Sequence, residues 1–284
     1  CRRRHIPSGG HLLLEEAILS HVPLYGDFFQ CLRRLDAPSM DCLTSIPSEV
    51  PWYVGRLISS AAALEGRTLT MSESSDHSQC YRPAGDSRPS YTVSEDEIRG
   101  SFNRLLLSGI TTFTSYYTFK DISQEQLIRL NTWVGRCSTM VKGGHQVTDL
   151  AVVYPAESMM AHYAASRRWT ADAPMEARDI EDTYRETSQL LFGMGRDFTY
   201  IDGKAIAEAA VEKGVLRINE LAWRAVLLPA VDTLPEKAWE NLAAFWRSGG
   251  VVIALGAFPK NSTREFPSPA AAALARELFG DRKS

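Results

Sequence analysis

The chain has 284 residues, 44% hydrophobic, 23% charged and 10% aromatic, with a formal net charge of −3. That length accommodates two ordinary domains, and the balance is that of a soluble globular chain. The slightly acidic charge offers no basic field for nucleic acid, and no apolar run approaches the roughly 18 residues of a bilayer span.

The five cysteines, Cys1, Cys31, Cys42, Cys80 and Cys137, stand singly and in odd number. They show neither metal-ligand spacing nor a disulfide framework, so they read as mostly free thiols. The chain opens Cys1-Arg2-Arg3-Arg4-His5, without an initiator Met or an apolar signal segment, and a strand-like run follows almost at once. It therefore reads as the C-terminal portion of a longer chain, cut inside a domain, with localisation left unread.

In chain order, short apolar strands alternate with helical stretches, the pattern of parallel β/α architecture. A strand is expected over 11–16 and a helix around 27–35, then a strand over 39–43 and a helix over 52–64 ended by Gly66. A third strand covers 68–73, and a polar loop runs from 74 to 90. Ser94 and Glu97 form a capping-box signature for a helix to about Leu107, with Gly109 after it. A strand over 110–117 and a helix over 124–141, stopped by Gly143-Gly144, close this region.

From Val147 the rhythm restarts. Strands are expected over 149–154 and 199–202, with helices over 180–193 and 204–213. Fully buried strands are expected over 225–229 and 251–255, joined by an amphipathic helix over 235–248 that Gly249-Gly250 ends. An Ala-rich helix covers 269–278. The expected fold is α/β: the C-terminal part of a β/α (TIM) barrel over 1–145, then a flavodoxin-like doubly wound domain over 146–284.

In a β/α barrel the chemistry sits where strands run out into loops. The first strand ends in Glu15-Glu16, the second carries Asp41, the third ends in Glu73 with His77 beyond, and the fourth ends in Ser115-Tyr116-Tyr117. Two carboxylates across a pocket are what glycosidic cleavage needs: one protonates the leaving oxygen, the other attacks the anomeric carbon or activates water. Trp52 and Tyr116 could stack on sugar faces. Blander readings stand beside these: Glu15 and Glu16 as the start of a solvated helix, Asp41 as a turn cap, and His77 as a loop residue bonded locally. Trp133, in helical spacing with Leu127, Leu130 and Val134, reads as core. No H-E-x-x-H or comparable spacing supports a metal, and no cofactor is expected.

The run Gly10-His11-Leu12-Leu13-Leu14-Glu15-Glu16, with Tyr25-Gly26-Asp27, Leu32-Arg33-Arg34-Leu35-Asp36-Ala37-Pro38 and Met40-Asp41-Cys42-Leu43, resembles bacterial glycoside hydrolases of the α-L-rhamnosidase type, family 106 and its relatives. Met71-Ser72-Glu73 and the run from Gly109 to Tyr117 extend that resemblance as the last barrel strands, although no Trp stands beside the first carboxylates. Asp149-Leu150-Ala151-Val152-Val153-Tyr154-Pro155, the run 228–235 and the run 249–256 look like the amidotransferase-like domain that follows the barrel in family 42 β-galactosidases.

The resemblance implies a glycosidase acting on plant or microbial glycans. Glu73 would be nucleophile or general base and Glu16, or its neighbour Glu15, the partner. His11, Asp41, Trp52, His77 and Tyr116 would contact substrate. The rhamnosidase pattern implies inversion and the galactosidase pattern retention. With about four of eight barrel strands present, the chain alone is expected to be inactive.

Two other readings compete. A class I glutamine amidotransferase needs a nucleophilic Cys in the second domain, and none follows Ala225–Pro229. A non-catalytic carbohydrate-binding or interaction protein would keep the pocket without the reaction. The expected partner is a carbohydrate, with no nucleic acid and no membrane. Further copies of the chain are candidates through the second domain or an open barrel edge.

Overall fold

A computed structural model describes residues 6–81, 84–119 and 121–280; Cys1 lies outside them. The chain divides into two units. The first comprises Cys1–Glu16, Leu32–Ala62 and Arg67–Gly144; the second comprises Ala17–Cys31, Ala63–Gly66 and His145–Ser284.

The first unit is built on four parallel strands in the order β1-β2-β3-β4: β1 Gly9–Gly10, β2 Ala37–Cys42, β3 Met71–Ser75 and β4 Thr112–Tyr116. Helix Trp52–Leu64 follows from its apolar spacing. Val54, Leu57, Ile58 and Ala61 are all buried on one stripe. Helix Glu95–Leu107 starts where expected: Ser94 and Glu97 cap each other's backbone, and Ile98, Phe102 and Leu105 turn inward. Helix Gln124–Val141 begins with a second capping box, Ser123 with Gln126, that its sequence also carries.

Several expectations shift. The strand expected over 11–16 is confined to Gly9–Gly10, and 11–16 forms a turn. The helix expected near 27–35 is shorter, Phe28–Leu32, and is preceded by a helix that was not expected, Ile18–Tyr25, parted from it by Gly26 at φ +72°. The strand expected from 68 starts at Met71, for a definite reason. The Thr70 amide donates to the Thr111 hydroxyl (3.1 Å) and the Thr111 amide to the Thr70 hydroxyl (3.0 Å). Each side chain thus takes a ladder bond, and backbone pairing begins one residue later, at Met71 with Thr112. Trp133 is only half-buried, with the Arg99 guanidinium stacked 5.0 Å from its ring; of its helix only Leu130 is buried.

The second unit has a parallel sheet of β5 Leu150–Val153, β6 Thr199–Ile201, β10 Ala225–Pro229 and β12 Val251–Leu255 in the order β12-β10-β5-β6. The chain grows from β5 to β6 on one side and from β10 to β12 on the other, so the order reverses between β5 and β10. That is the plan of a doubly wound sheet. β10 is buried as expected, but β12 is not: it is an edge strand, with Val251 50% and Ile253 42% exposed.

The helix expected to run to 213 stops at Glu208. After it comes an antiparallel meander of β7 Ala210–Glu212, β8 Val215–Ile218 and β9 Leu221–Trp223. Its turns fall at Lys213-Gly214 and Asn219, all at positive φ. β11 Thr233–Leu234 and β13 Asn261–Ser262 form a further parallel pair. Helices Met175–Gly193 and Glu236–Arg247 bury the stripes Ile180-Tyr184-Thr187-Leu191 and Ala238-Trp239-Leu242-Phe245.

Residues 17–31 are part of this second unit through specific bonds. The His21 Nδ1 and the Tyr154 hydroxyl lie 2.8 Å apart, both buried, and the Leu19 amide donates to Glu181 at 2.8 Å. The Gln30 side-chain Nε2 donates to the Asp202 carboxylate. Phe28 stacks on His21 and Phe29 on Tyr154, with ring centroids 4.0 and 5.5 Å apart.

Candidate functional site

Parallel strands end at one edge, so β2 to β4 deliver side chains to the same place and the turn after β1 joins them there. Asp41 and Glu73 are register partners on β2 and β3, and Glu73 pairs in turn with Thr114 on β4. Register partners on neighbouring strands project from one face about 4.8 Å apart. The two carboxylates therefore stand side by side. Phe113, one residue out of phase, stacks on Phe102 at 4.2 Å and so marks the opposite, helix-covered face. On the face that carries Glu73, Thr112, Thr114 and Tyr116 are exposed.

The 11–16 turn supplies the rest. His11 Nε2 lies 3.3 Å from Glu73 Oε2, and its Nδ1 lies 2.7 Å from the Leu12 carbonyl. Glu15, 3% exposed, accepts the Leu12 amide on Oε1 (2.9 Å) and the Asp41 amide on Oε2 (3.0 Å). It thus ties the turn to β2. Burial pushes the Glu15 carboxyl up to about 8, against the pull of those two N–H donors and of His11.

Burial also raises Asp41, with Glu73 adding to the rise and His11 and His77 opposing it. Its Oδ1 is buried and has no hydrogen-bond partner among the described residues, a polar atom that calls for a donor. Partial burial pulls His11 downward. The Leu12 carbonyl and the charges of Glu15, Asp41 and Glu73 outweigh it and raise the imidazole above its ordinary value.

The other expected residues fall differently. Glu16 is exposed, and its carbonyl accepts the Tyr53 hydroxyl at 3.4 Å; of the two neighbouring glutamates it is Glu15 that turns inward. Trp52 is 8% exposed at the first turn of its helix, a packing position and not an open platform for a sugar. Tyr116 is 72% exposed at the end of β4. His77 is exposed, with its ring tilted against Tyr81 at 5.0 Å.

Sequence reasoning missed the polar support beneath these groups. Gln79, fully buried, accepts the Ser45 amide and donates to the Thr44 hydroxyl, each at 3.0 Å. The Ser45 hydroxyl reaches Tyr117 at 2.7 Å, and Asp76 accepts the Thr118 hydroxyl at 2.8 Å. Gln79 lies in a segment whose composition reads as solvated loop, and no local signal marks it out.

Among the described residues no group of three or more His, Cys, Asp or Glu is placed to hold a metal ion, and no helix is long and apolar enough to cross a membrane. Cys31, Cys42, Cys80 and Cys137 are free thiols. Burial raises Cys31, Cys42 and Cys80, which leaves them far from activated thiolates. In the second unit a crevice of about 500 Å³ opens where β10 and β12 end, lined by Asp179, Ile180, Ala230, Gly256 and the hydrogen-bonded pair His162–Asp232. No cysteine lines it.

No protein-family model matches the chain, and no curated protein does. Solved structures do. A beta-galactosidase from Bacillus circulans sp. alkalophilus matches with a TM-score of 0.57 at 13% identity, over 88% of this chain and 36% of its own. A catalytic mutant of Gan42B, a GH42 beta-galactosidase from G. stearothermophilus, matches at 0.56 and 10%, over 86% of this chain and 36% of its own. An exo-carrageenase GH42 from Bacteroides ovatus matches at 0.54 and 12%, over 89% and 37%. The chain thus spans little more than a third of these structures. The matches run across both units: the fold is the later part of a β/α barrel followed by a second α/β unit. The solved structures it resembles include GH42 enzymes.

Proposed function

We propose that the first unit supplies one wall of a glycoside hydrolase site, with Glu73 as the nucleophile or general base. One observation carries this reading: Asp41 and Glu73 are adjacent in register on the open face at the strands' C-terminal ends, with His11 against Glu73. A carboxylate fixed at that edge is what an oxocarbenium-like transition state requires, whether it attacks the sugar or directs water. GH42 neighbours in fold favour this chemistry over other uses of a barrel.

In this reading Asp41 accepts a sugar hydroxyl on its Oδ1, and exposed Tyr116 lends a ring face. Glu15 does not touch substrate. It keeps its proton at neutral pH, yet both oxygens are held by backbone donors, so it positions Asp41 and the 11–16 turn. The proton for the leaving oxygen then comes from the opposite wall of the barrel, which these four strands do not form. The second unit is amidotransferase-like in plan and serves a structural role, with no cysteine among the described residues that line its crevice.

The test is hydrolysis of a panel of nitrophenyl galactosides, glucosides and rhamnosides, by this chain and by a longer polypeptide that completes the barrel. Turnover is expected only from the completed barrel and is lost in Glu73→Gln. Turnover that survives Glu73→Gln would remove Glu73 from the chemistry. Saturable sugar binding without turnover in the completed barrel would establish a binding protein instead.

A further inference from the structure

The His11 ring makes two contacts of different kinds, and together they fix where its protons lie. A carbonyl oxygen only accepts, so at 2.7 Å from the Leu12 carbonyl it is Nδ1 that carries a hydrogen. That carbonyl is itself held, because the amide of Leu12 donates to Glu15, whose other oxygen is anchored on β2 by Asp41. With Nδ1–H engaged, the nitrogen left for Glu73 is Nε2, at 3.3 Å from Oε2. A carboxylate accepts there only if Nε2 is protonated too. One proton therefore lies between His11 and Glu73. When it leaves, the ring presents a lone pair to the carboxylate and the contact becomes repulsive.

We propose that His11 is a positioning residue for Glu73: pinned by Leu12 in its Nδ1–H form, it holds the Glu73 carboxylate through a proton on Nε2 and releases it when that proton is lost. The proposal rests on the reading of Glu73 as the reacting carboxylate. The groups that bear on the ring are Glu15, Asp41 and Glu73, all acidic, with His77 facing Asp41. At neutral pH Asp41 and Glu73 favour the proton-holding state, and Glu15 joins them only as it ionises, near 8. The device thus works at neutral pH and fails on the alkaline side. It also separates His11 from a substrate ligand, since both nitrogens are committed within the protein.

Imidazole nitrogen-15 spectra of the 284-residue chain through a pH titration test this without any need for turnover. His11 is expected to titrate above its ordinary 6.5, because the Leu12 carbonyl and then the nearby carboxylates outweigh burial, and to reach the neutral state as the Nδ1–H tautomer. Glu73→Gln, an isosteric change at a half-exposed side chain, should lower that midpoint by about half a pH unit, the scale of a partly screened ion pair. The tautomer should stay as it is. A neutral ring protonated on Nε2, or a midpoint indifferent to Glu73→Gln, overturns the proposal. In the completed barrel, the alkaline limb of kcat/KM should follow the His11 midpoint, and His11→Gln should lower kcat more than it changes KM. A limb that stays in place in His11→Gln counts against the positioning role. The nitrogen spectra can succeed where no glycoside is turned over; in that case the glycosidase reading falls while the His11–Glu73 contact stands.

Discussion

Replacing Glu15 by Gln should change how the stability of the chain depends on pH more than it changes stability at any one pH. Glu15 titrates near 4.5 when solvated and is pushed up to about 8 by burial in the fold. Between those values the folded chain holds a proton that the unfolded chain has lost. Stability from this group is therefore complete below the unfolded value and drains away as pH rises toward 8. At about 1.4 kcal/mol for each pH unit between the two midpoints, the whole effect is about 5 kcal/mol, and about 2 kcal/mol of it falls between pH ~5.5 and pH ~7.

Glu15→Gln removes the titration. It also turns an amide donor toward one of the two backbone N–H groups now bonded to the carboxyl. That mismatch costs about 1–3 kcal/mol. The variant should be the less stable protein at pH ~5, and the gap should close or reverse by pH ~8. Urea denaturation of both proteins at closely spaced pH values, followed by a probe in the first unit such as Trp52, reads the difference directly. Parallel curves for the two proteins would refute the reasoning and would mean that Glu15 is ionised in the folded state.

Other consequences follow from the same structure. Glu73→Gln should lower turnover in a completed barrel by on the order of 10²–10⁴-fold and leave the thermal midpoint nearly unchanged, because the side chain is 39% exposed. Ser94→Ala breaks the reciprocal cap with Glu97 and should cost about 1 kcal/mol in denaturation. Leu242→Ala, fully buried in helix Glu236–Arg247, should cost about 2–5 kcal/mol, with the loss confined to the transition of the second unit. Tyr154→Phe strips the buried His21 of its hydroxyl partner and should cost about 1–3 kcal/mol by calorimetry; a change within a few tenths would mean that His21 finds another partner.

The elements most legible in the sequence were those whose signal is local. Helix Gln124–Val141 and strands Ala225–Pro229 and Val251–Leu255 fall on the expected residues because their apolar runs are local, and glycines follow the helix and flank the second strand. Ser94 declared its helix through a box of four residues. What failed depended on a partner far along the chain. No window around Thr70 reveals that the Thr111 hydroxyl will replace its ladder bond.

At Glu15-Glu16, the expectation that Glu16 or its neighbour Glu15 faces Glu73 assumed a strand that runs through both. It stops at Gly10, and the turn that follows brings in Glu15. The pairing of Asp41 with Glu73 is a matter of register between two strands well separated along the chain, which neither strand encodes alone. Glu73 itself was legible from the strand it closes; the two-sided grip on His11 was not.

The membership of residues 17–31 in the second unit bears on the order in which the polypeptide can be assembled. His21, Leu19 and Gln30 meet their partners Tyr154, Glu181 and Asp202 across separations of 133, 162 and 172 residues. At a synthesis rate of about 5–20 residues per second, the early segment waits roughly 10–30 s after emerging before its docking surface exists. Through that interval Phe28 and Phe29, both wholly buried in the finished protein, have no native cover. Such high contact order makes nascent chains clients for holding chaperones and makes refolding slower than the local helices suggest. It also means that a polypeptide begun at His145 starts without the helix that shields Tyr154, so separate expression of the second unit calls for residues 17–31 to be supplied, in cis or in trans.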